Sequence, residues 1–339
     1  MDRENNVAVV IACYDSEKFI GRAIRSALEQ AETAEVFVVD DASADASVEA
    51  ALAGDDGSGR LKVLRQPSNR GPSAARNRGI FLARSPWLAV LDADDFFLPN
   101  RLAGLLRHSQ DADFIADDPL RVAENAIDGP RQAILGLREL QWITFAEFVS
   151  ANVSHPDRAW REWGYVQPLM RRQFLTDHGL RHQEQMRLGE DYELYARALA
   201  LGARFVMTPL QGYVCVCREG SLSGRHSVDD LRNVLDCDRS LAALPGLTAE
   251  DREVLRQHSL SIECRVQWRL LVEAFKQGNA FRAAACFLQP QPIPGYLLRE
   301  LFSAVRGKGP SRHFSTDRYG RTPSSDRPAG VPPIHDACG

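Results

Sequence analysis

The strongest constraint on the fold is a recurring pair: a short unbroken apolar run, then a stretch with helical spacing. Val7-Ala8-Val9-Val10-Ile11 is the first run. A strand apolar on both of its alternating faces suits a parallel sheet covered on both sides. Ser16 then offers a helix N-cap, and Phe19, Ile20, Ala23, Ile24, Ala27 and Leu28 recur with helical spacing. Val36-Phe37-Val38-Val39 follows and ends in Asp40-Asp41-Ala42-Ser43. Strand, helix and strand at this separation make a right-handed βαβ unit. The pattern repeats with Leu61-Lys62-Val63-Leu64, a helix over 72–84 opened by Gly71-Pro72-Ser73, and Trp87-Leu88-Ala89-Val90-Leu91. That last strand runs straight into Asp92-Ala93-Asp94-Asp95, and Pro99 suits the first turn of another helix. Residues 5–118 are therefore expected to form a doubly wound α/β half.

The rest of the chain is less regular. Residues 119–140 show no periodicity and read as loop. Phe145 to Val149 reads as helix, Trp163 to Met170 as strand, and Arg171 to His178 as a short helix. Glu190 to Leu201 is helical, with Leu194, Ala198 and Leu201 on one side. Ala203 to Met207 and Gly212 to Cys217 are strand-like. From Val228 the pattern is helical over 228–243, 248–276 and 278–288, until Pro290, Pro292 and Pro294 interrupt it. Tyr296, Leu297, Leu298, Leu301, Phe302 and Val305 then form one more apolar face. Beyond 307 the chain is rich in Gly, Pro, Ser and Arg, the composition of a disordered tail. The expected organisation is one α/β domain over 5–225, divided at 118, a helical C-terminal region over 226–306, and the tail 307–339.

Composition narrows the function by exclusion. The chain has 339 residues, 44% of them apolar and 25% charged, as in a soluble globular protein. Its 41 basic and 45 acidic residues leave a net charge of -4, without the basic stripe of a nucleic-acid binder. The seven cysteines are scattered without zinc-site spacing and read as buried reduced thiols of a cytoplasmic protein. Cys215 and Cys217 are expected on one face of a strand. The run from Val7 to Ala12 is too short for a signal-peptide core, and no apolar stretch is long enough for a membrane span. No G-x-G-x-x-G follows the first strand and no P-loop occurs, which disfavours a dinucleotide oxidoreductase or P-loop enzyme.

The acidic residues carry the chemistry. In an open parallel sheet, ligands bind at the carboxyl ends of the strands. Asp40-Asp41 and Asp92-Ala93-Asp94-Asp95 end two strands, and Glu190-Asp191 opens a helix. Acids gathered at one rim repel each other unless a proton or cation joins them. A hard divalent ion, its shell completed by phosphates, is the natural partner. Taken alone, Asp-x-Asp is equally a solvated turn, and Glu190-Asp191 equally suits a helix N-terminus through the macrodipole.

Five stretches together go further. They are Val9 to Asp15, Val38 to Asp45, Asn69 to Gly79, Leu91 to Asp95, and Gly189-Glu190-Asp191. In this order they resemble the inverting family 2 glycosyltransferases of the A-type fold, over roughly residues 5–220. The resemblance implies a GT-A-like doubly wound mixed sheet, with a Rossmann-like nucleotide-binding half over 5–118 and a helical C-terminal extension. It implies that Ala12 and Tyr14 frame the nucleotide, with Tyr14 at the base. Asp41 accepts hydrogen bonds from the base, and Arg76 contacts the nucleotide and offsets the acidic rim. Asp92 sits near the ribose and the metal, Asp94 is the main ligand of Mn²⁺ or Mg²⁺, and Asp191 is the general base. The stretch Arg187 to Tyr195 is similar to bacterial glucosyltransferases of exopolysaccharide assembly, such as those making succinoglycan. That implies UDP-glucose as donor and a glycan, lipid-linked, as acceptor. A non-catalytic nucleotide-sugar or glycan-binding module on the same fold is the alternative, disfavoured by Asp92, Asp94 and Asp191 occurring together.

Several positions stay open at this level. Cys13 stands where the family often has proline, and residues 119–165 match no stretch of the family. Trp160, Trp163 and Tyr165 suit either a sugar face or a buried core. Arg218 and His226 are candidates for the diphosphate or ordinary solvated residues. Asp45 is a candidate cap for the following helix, and Asp95 a supporting acid or a cap before Pro99. Tyr296 to Val305, followed by Arg306, Lys308, Arg312, Arg318 and Arg321, is apolar and then basic. Such a stretch suits peripheral contact with the cytoplasmic face of an anionic membrane, or a helix docked on the core.

Overall fold

The computed structural model describes residues 3–153, 163–218 and 226–306. The first half alternates as the apolar runs require: β1 (Val7–Cys13), α1 (Ile20–Leu28), β2 (Thr33–Asp40), α2 (Ser47–Ala53), β3 (Leu61–Arg65), α3 (Pro72–Leu82) and β4 (Trp87–Asp92). Short elements follow: β5 (Phe96–Phe97), α4 (Arg101–Leu106), β6 (Phe114–Ala116), β7 (Leu120–Ala123), β8 (Gln132–Ala133), β9 (Gln141–Ile143), α5 (Phe145–Ala151), β10 (Leu169–Arg171) and α6 (Arg172–Asp177). Then come α7 (Glu190–Ala200), β11 (Phe205–Met207), β12 (Tyr213–Cys217), α8 (Val228–Ala242), α9 (Ala249–Lys276), α10 (Ala280–Cys286) and α11 (Ile293–Val305).

The main sheet runs β3-β2-β1-β4-β10-β6-β11-β9, and β5-β12-β7-β8 form a smaller one. The first four strands are parallel, and β10 runs antiparallel to both β4 and β6, so the sheet is mixed. The chain leaves β1 for β2 and β3, then returns on the other side of β1 as β4. This is the topological switch point at which open α/β sheets bind ligands. The register places Ala12 beside both Val39 and Asp92, so the carboxyl ends of these strands share one rim.

The unbroken apolar runs have a plain cause. Ala8, Val10, Leu88 and Val90 face one core, while Val7, Val9, Ile11, Ala89 and Leu91 face the other. Alternate side chains enter opposite layers, and both layers are dry. The first core reaches well into the C-terminal part. Leu231, Val234 and Leu241 of α8 and Leu255, Ile262 and Val266 of α9 pack with Leu194, Tyr195 and Phe205. Helices α10 and α11 pack instead on the last turns of α9, around Leu271, Ala274, Ala283, Ile293 and Leu297.

The structure differs from the sequence reading in local detail. Ser16 does not cap α1: the helix starts at Ile20, and the Ser16 hydroxyl donates to the Tyr14 carbonyl instead. The helix expected at Pro99 starts at Arg101, because Asn100 adopts a left-handed conformation with φ 62°. The strand expected over Trp163 to Met170 is confined to β10, and Trp163 lies in a 3-10 turn. The stretch read as loop over 119–140 contains β7 and β8 of the smaller sheet. Trp160, the Arg218-following stretch 219–225 and the tail 307–339 lie outside the described residues. The six described cysteines are free, and Cys215 and Cys217 are half-buried on one face of β12. No helix among the described residues is long and apolar enough to cross a membrane.

One close approach fixes α3 over the sheet. A Cβ on Gly79 would fall 2.5 Å from Val10 Cγ1, and Val10 is fully buried in β1. Gly79→Ala is expected to lower unfolding stability by about 1–3 kcal/mol through overpacking. The helix-propensity gain, about 1 kcal/mol, offsets only part of it. Chemical denaturation checks this, and an unchanged or raised midpoint would contradict the close contact.

Candidate active site

The rim at the switch point is built from loops that brace one another. After β1, the Asp15 amide donates to Ser43 Oγ at 3.0 Å and Asp15 Oδ1 accepts from the Ala44 amide at 2.9 Å. Asp15 and Ala42 both hold positive φ, 45° and 63°, a conformation that costs energy and persists only where surrounding contacts impose it. Tyr14 stands half-exposed on this braced loop, next to Ala12 at the rim. Asp45 acts as a partial cap: its carboxylate accepts from the Ser47 and Glu17 amides, while Ala46 occupies the cap position of α2.

Asp41 is buried, and its carboxylate organises the next loop. Oδ1 accepts from Gln66 Nε2 at 2.7 Å and the Arg70 amide at 2.8 Å, and Oδ2 accepts from the Gly71 amide at 2.7 Å. An ionised carboxylate has about four acceptor sites, so Oδ2 keeps room for one more donor. Gly71, with φ 87°, turns the chain, and Pro72 starts α3 at N1.

Helix α3 then delivers Arg76 to the centre of the rim. Its guanidinium is buried and reaches Asp92 Oδ1 at 2.8 Å, Glu190 Oε1 at 2.9 Å and Asp191 Oδ1 at 3.5 Å. One cation thus joins the end of β4 to the first turn of α7. Without it, three carboxylates would face each other in a low-dielectric site.

The three aspartates after β4 have different surroundings. Asp92 is the most open, with 36% of its side chain exposed. Asp94 Oδ2 lies 2.7 Å from Arg218 Nε, and the Asp94 carbonyl accepts from Arg22 Nη2 at 2.6 Å. Burial and the neighbouring Asp92 raise the Asp94 pKa, with Arg218 pulling it back. Asp95 is buried and accepts from Tyr213 Oη at 2.9 Å and the Val216 amide at 2.8 Å. Asp95 therefore fastens β12 to the rim, and burial holds its pKa well above the ordinary value.

Asp191 sits in the first turn of α7, after Gly189 in a left-handed conformation with φ 74°. Burial raises its pKa, Arg76 lowers it and Asp92 raises it again. Gln167 Nε2 donates to Oδ2 at 3.3 Å, and His182 Nδ1 lies 3.5 Å from Oδ1. Burial and the Arg76 charge push the His182 imidazole down to about 3, so it is neutral at ordinary pH. Gln167 is itself fixed: its carbonyl accepts from Arg101 Nη2 at 2.6 Å, and its side-chain oxygen accepts from Tyr195 Oη at 3.4 Å. Arg101 in turn is fully buried and pairs with Asp117 at 2.7 Å.

The structure therefore brings Arg76, Asp92 and Asp191 into one cluster, with Asp94 adjacent to it and Ala12, Tyr14 and Asp41 on neighbouring loops of the same rim. Trp163 is buried, which favours its core reading, whereas Tyr165 is exposed. Arg218 stands at the Asp94 carboxylate. Sequence reasoning missed Gln167, His182, Arg101 and Asp117. No local motif marks them, because their partners meet them only through the fold. Among the described residues, no group of three or more His, Cys, Asp or Glu side chains forms a ready-made metal cage. Asp92 and Asp94 stand two residues apart at the end of β4, the first paired with Arg76 and the second with Arg218.

Comparison with known proteins agrees with this fold. A family model described as glycosyl transferase family 2 matches residues 8–171. The succinoglycan biosynthesis protein ExoU of Rhizobium meliloti is 42% identical over 86% of this chain and 86% of its own. ExoO of the same organism is 35% identical over 88% of this chain and 81% of its own. Among solved structures, S. aureus TarS 1-349 in complex with UDP-GlcNAc superposes with a TM-score of 0.61 at 17% identity, over 92% of this chain and 90% of that one. The mannosyltransferase PcManGT of Pyrobaculum calidifontis, in complex with GDP-Man and Mn²⁺, gives 0.55 at 16% identity, over 89% and 88%. The sheet and rim described above are thus the GT-A-like fold, and the chain belongs to glycosyl transferase family 2, as a glycosyltransferase.

Proposed function

We propose that this glycosyltransferase moves a hexose, glucose, from a UDP-sugar to a lipid-linked glycan acceptor in exopolysaccharide assembly, with inversion at the anomeric carbon. The convergence of Asp92 and Asp191 on buried Arg76 carries the reading, because it sets a donor-side acid beside a proton acceptor. The relatives named for succinoglycan biosynthesis support the polymer, and the fold neighbour holding UDP-GlcNAc supports a uridine nucleotide.

In this reading Ala12 and Tyr14 line the nucleotide, and the free acceptor site of Asp41 Oδ2 receives a base N–H. The acceptor hydroxyl oxygen attacks the anomeric carbon, the bond from that carbon to the diphosphate oxygen breaks, and the hydroxyl proton passes to Asp191. Burial makes Asp191 a stronger base than an exposed aspartate, which suits proton removal. Gln167 and Arg76 hold its two oxygens in place. Asp94, with Asp92, would hold Mn²⁺ or Mg²⁺, which as a Lewis acid neutralises diphosphate charge. In this reading the enzyme works in the cytoplasm, in peripheral contact with the cytoplasmic face of the inner membrane.

Thermal unfolding in the presence of nucleotides tests this. UDP with Mn²⁺ is expected to raise the Tm by several degrees, as a ligand at about 100 times its Kd contributes about 2.7 kcal/mol. UDP alone should do less, and GDP little. No shift with any uridine nucleotide, with or without metal, would sink the proposal.

A further inference from the structure

The last two helices are apolar on the wrong side. Of the thirteen exposed large hydrophobic residues among those described, six lie between Phe275 and Val305. On α10 and its final turn, Phe281 is 92% exposed and Leu288 is 84% exposed, with exposed Ala284 and Ala285 between them. On α11, Leu298, Phe302 and Val305 are all exposed, Val305 at 85%. Spacings of three, four and seven residues put each set on one stripe of its helix. The opposite sides are also apolar: Ala283, Cys286, Ile293 and Leu297 are buried against α9. A helix apolar on both sides lacks the polar face that water requires, so the outer stripes need a cover.

The charges select that cover. From Gln277 to Arg306 the only acidic residue is Glu300, which is fully buried. Arg282, Arg299 and Arg306 are exposed beside the apolar stripes. A second copy of this chain, meeting the patch with the same patch, would bring these arginines together and repel. Anionic phospholipid headgroups would pair with them while the aromatic and aliphatic side chains enter the acyl boundary. Long arginine side chains can keep their heads at the headgroup level.

We infer that the outer faces of α10 and α11 form a docking surface for an anionic lipid bilayer, on which the enzyme rests without spanning it. The contact lies away from the catalytic helix. His258, which contacts Tyr192 of α7, and Ala274, which packs against α10 and α11, are both on α9, about 24 Å apart at 1.5 Å per residue. Docking is therefore separable from the reaction.

Sedimentation with vesicles tests this on the full chain. It is expected to pellet with phosphatidylglycerol-containing vesicles, to stay in solution with phosphatidylcholine vesicles, and to be released by high salt. The triple variant Phe281→Ser, Phe302→Ser, Val305→Ser should lose roughly tenfold or more of the partition coefficient. Its Tm and its hydrolysis of donor sugar should stay at wild-type values. Three results overturn the inference: no pelleting with anionic vesicles, equal pelleting of the triple variant, or a dimer in size-exclusion chromatography that the triple variant breaks and that does not bind vesicles.

Discussion

Asp191→Asn is expected to lower kcat by about 10²–10⁴-fold, the usual contribution of a positioned general base, while nucleotide affinity stays close to wild type. Asparagine keeps the shape and can still accept from Arg76, so the first turn of α7 and the Arg76 cluster should persist. What is lost is the second carboxylate oxygen, and with it a group able to take a proton. The pH profile sharpens the test. Burial raises the Asp191 pKa, so wild-type activity should fall as pH drops through a value above the ordinary aspartate range. In the variant that acid limb should vanish from the residual activity. Single-turnover kinetics and calorimetry with UDP read the two effects separately. Full transfer by Asp191→Asn would remove it from the reaction.

Arg101→Met should cost about 3–5 kcal/mol of unfolding free energy, because it leaves the buried Asp117 without its cation. Asp117 would keep only the Gly212 and Tyr213 amides as donors. The damage should also reach the active site, since the Arg101 guanidinium holds the Gln167 carbonyl, and Gln167 holds Asp191. Pairing Arg101→Met with Asp117→Asn should recover part of the stability, because it removes the uncompensated charge while the side-chain oxygen still accepts from the Gly212 and Tyr213 amides. Denaturation of the two single variants and the double variant measures this. A cost under about 1 kcal/mol for Arg101→Met would show that the pair contributes little.

The contrast between these two residues explains what could be read from sequence. Asp191 is singled out in the sequence because Gly189-Glu190-Asp191 follows, in order, stretches whose spacing is itself informative, and the fold brings it to Arg76. The strands β1, β2 and β4 were legible because both of their faces are buried and their apolar runs are unbroken. β10 was not, because three residues between two antiparallel neighbours are too few to display a period. β7 and β8 hid within apparent loop for the same reason, since four and two residues suffice once β12 pairs with β7. Asn100 misled at the start of α4, where a left-handed residue delays the helix past Pro99. Nothing in the local sequence marks Arg101. Its meaning depends on Asp117, Gln167 and the rings of Phe97 and Tyr213, which the chain assembles only when folded. His182 is similar: only burial beside Arg76 makes it a neutral neighbour of Asp191.

The sharing of one core between α7 and the helices after it has a consequence for building hybrid enzymes. Tyr192, the residue after Asp191, donates to Asp238 of α8 at 3.1 Å and packs its ring, tilted, against His258 of α9 with ring centroids 4.6 Å apart. Asp238 also accepts from Ser259, and all of this is buried or nearly so. A crossover placed at the apparent seam near residue 226 would splice a foreign helical part against Tyr192, leaving hydroxyl or carboxylate groups stranded in a dry interior. The seam that the packing permits lies further on, within the last turns of α9, where the α10–α11 cluster takes over. Recombining acceptor or docking modules between relatives should therefore keep α7, α8 and most of α9 from a single parent.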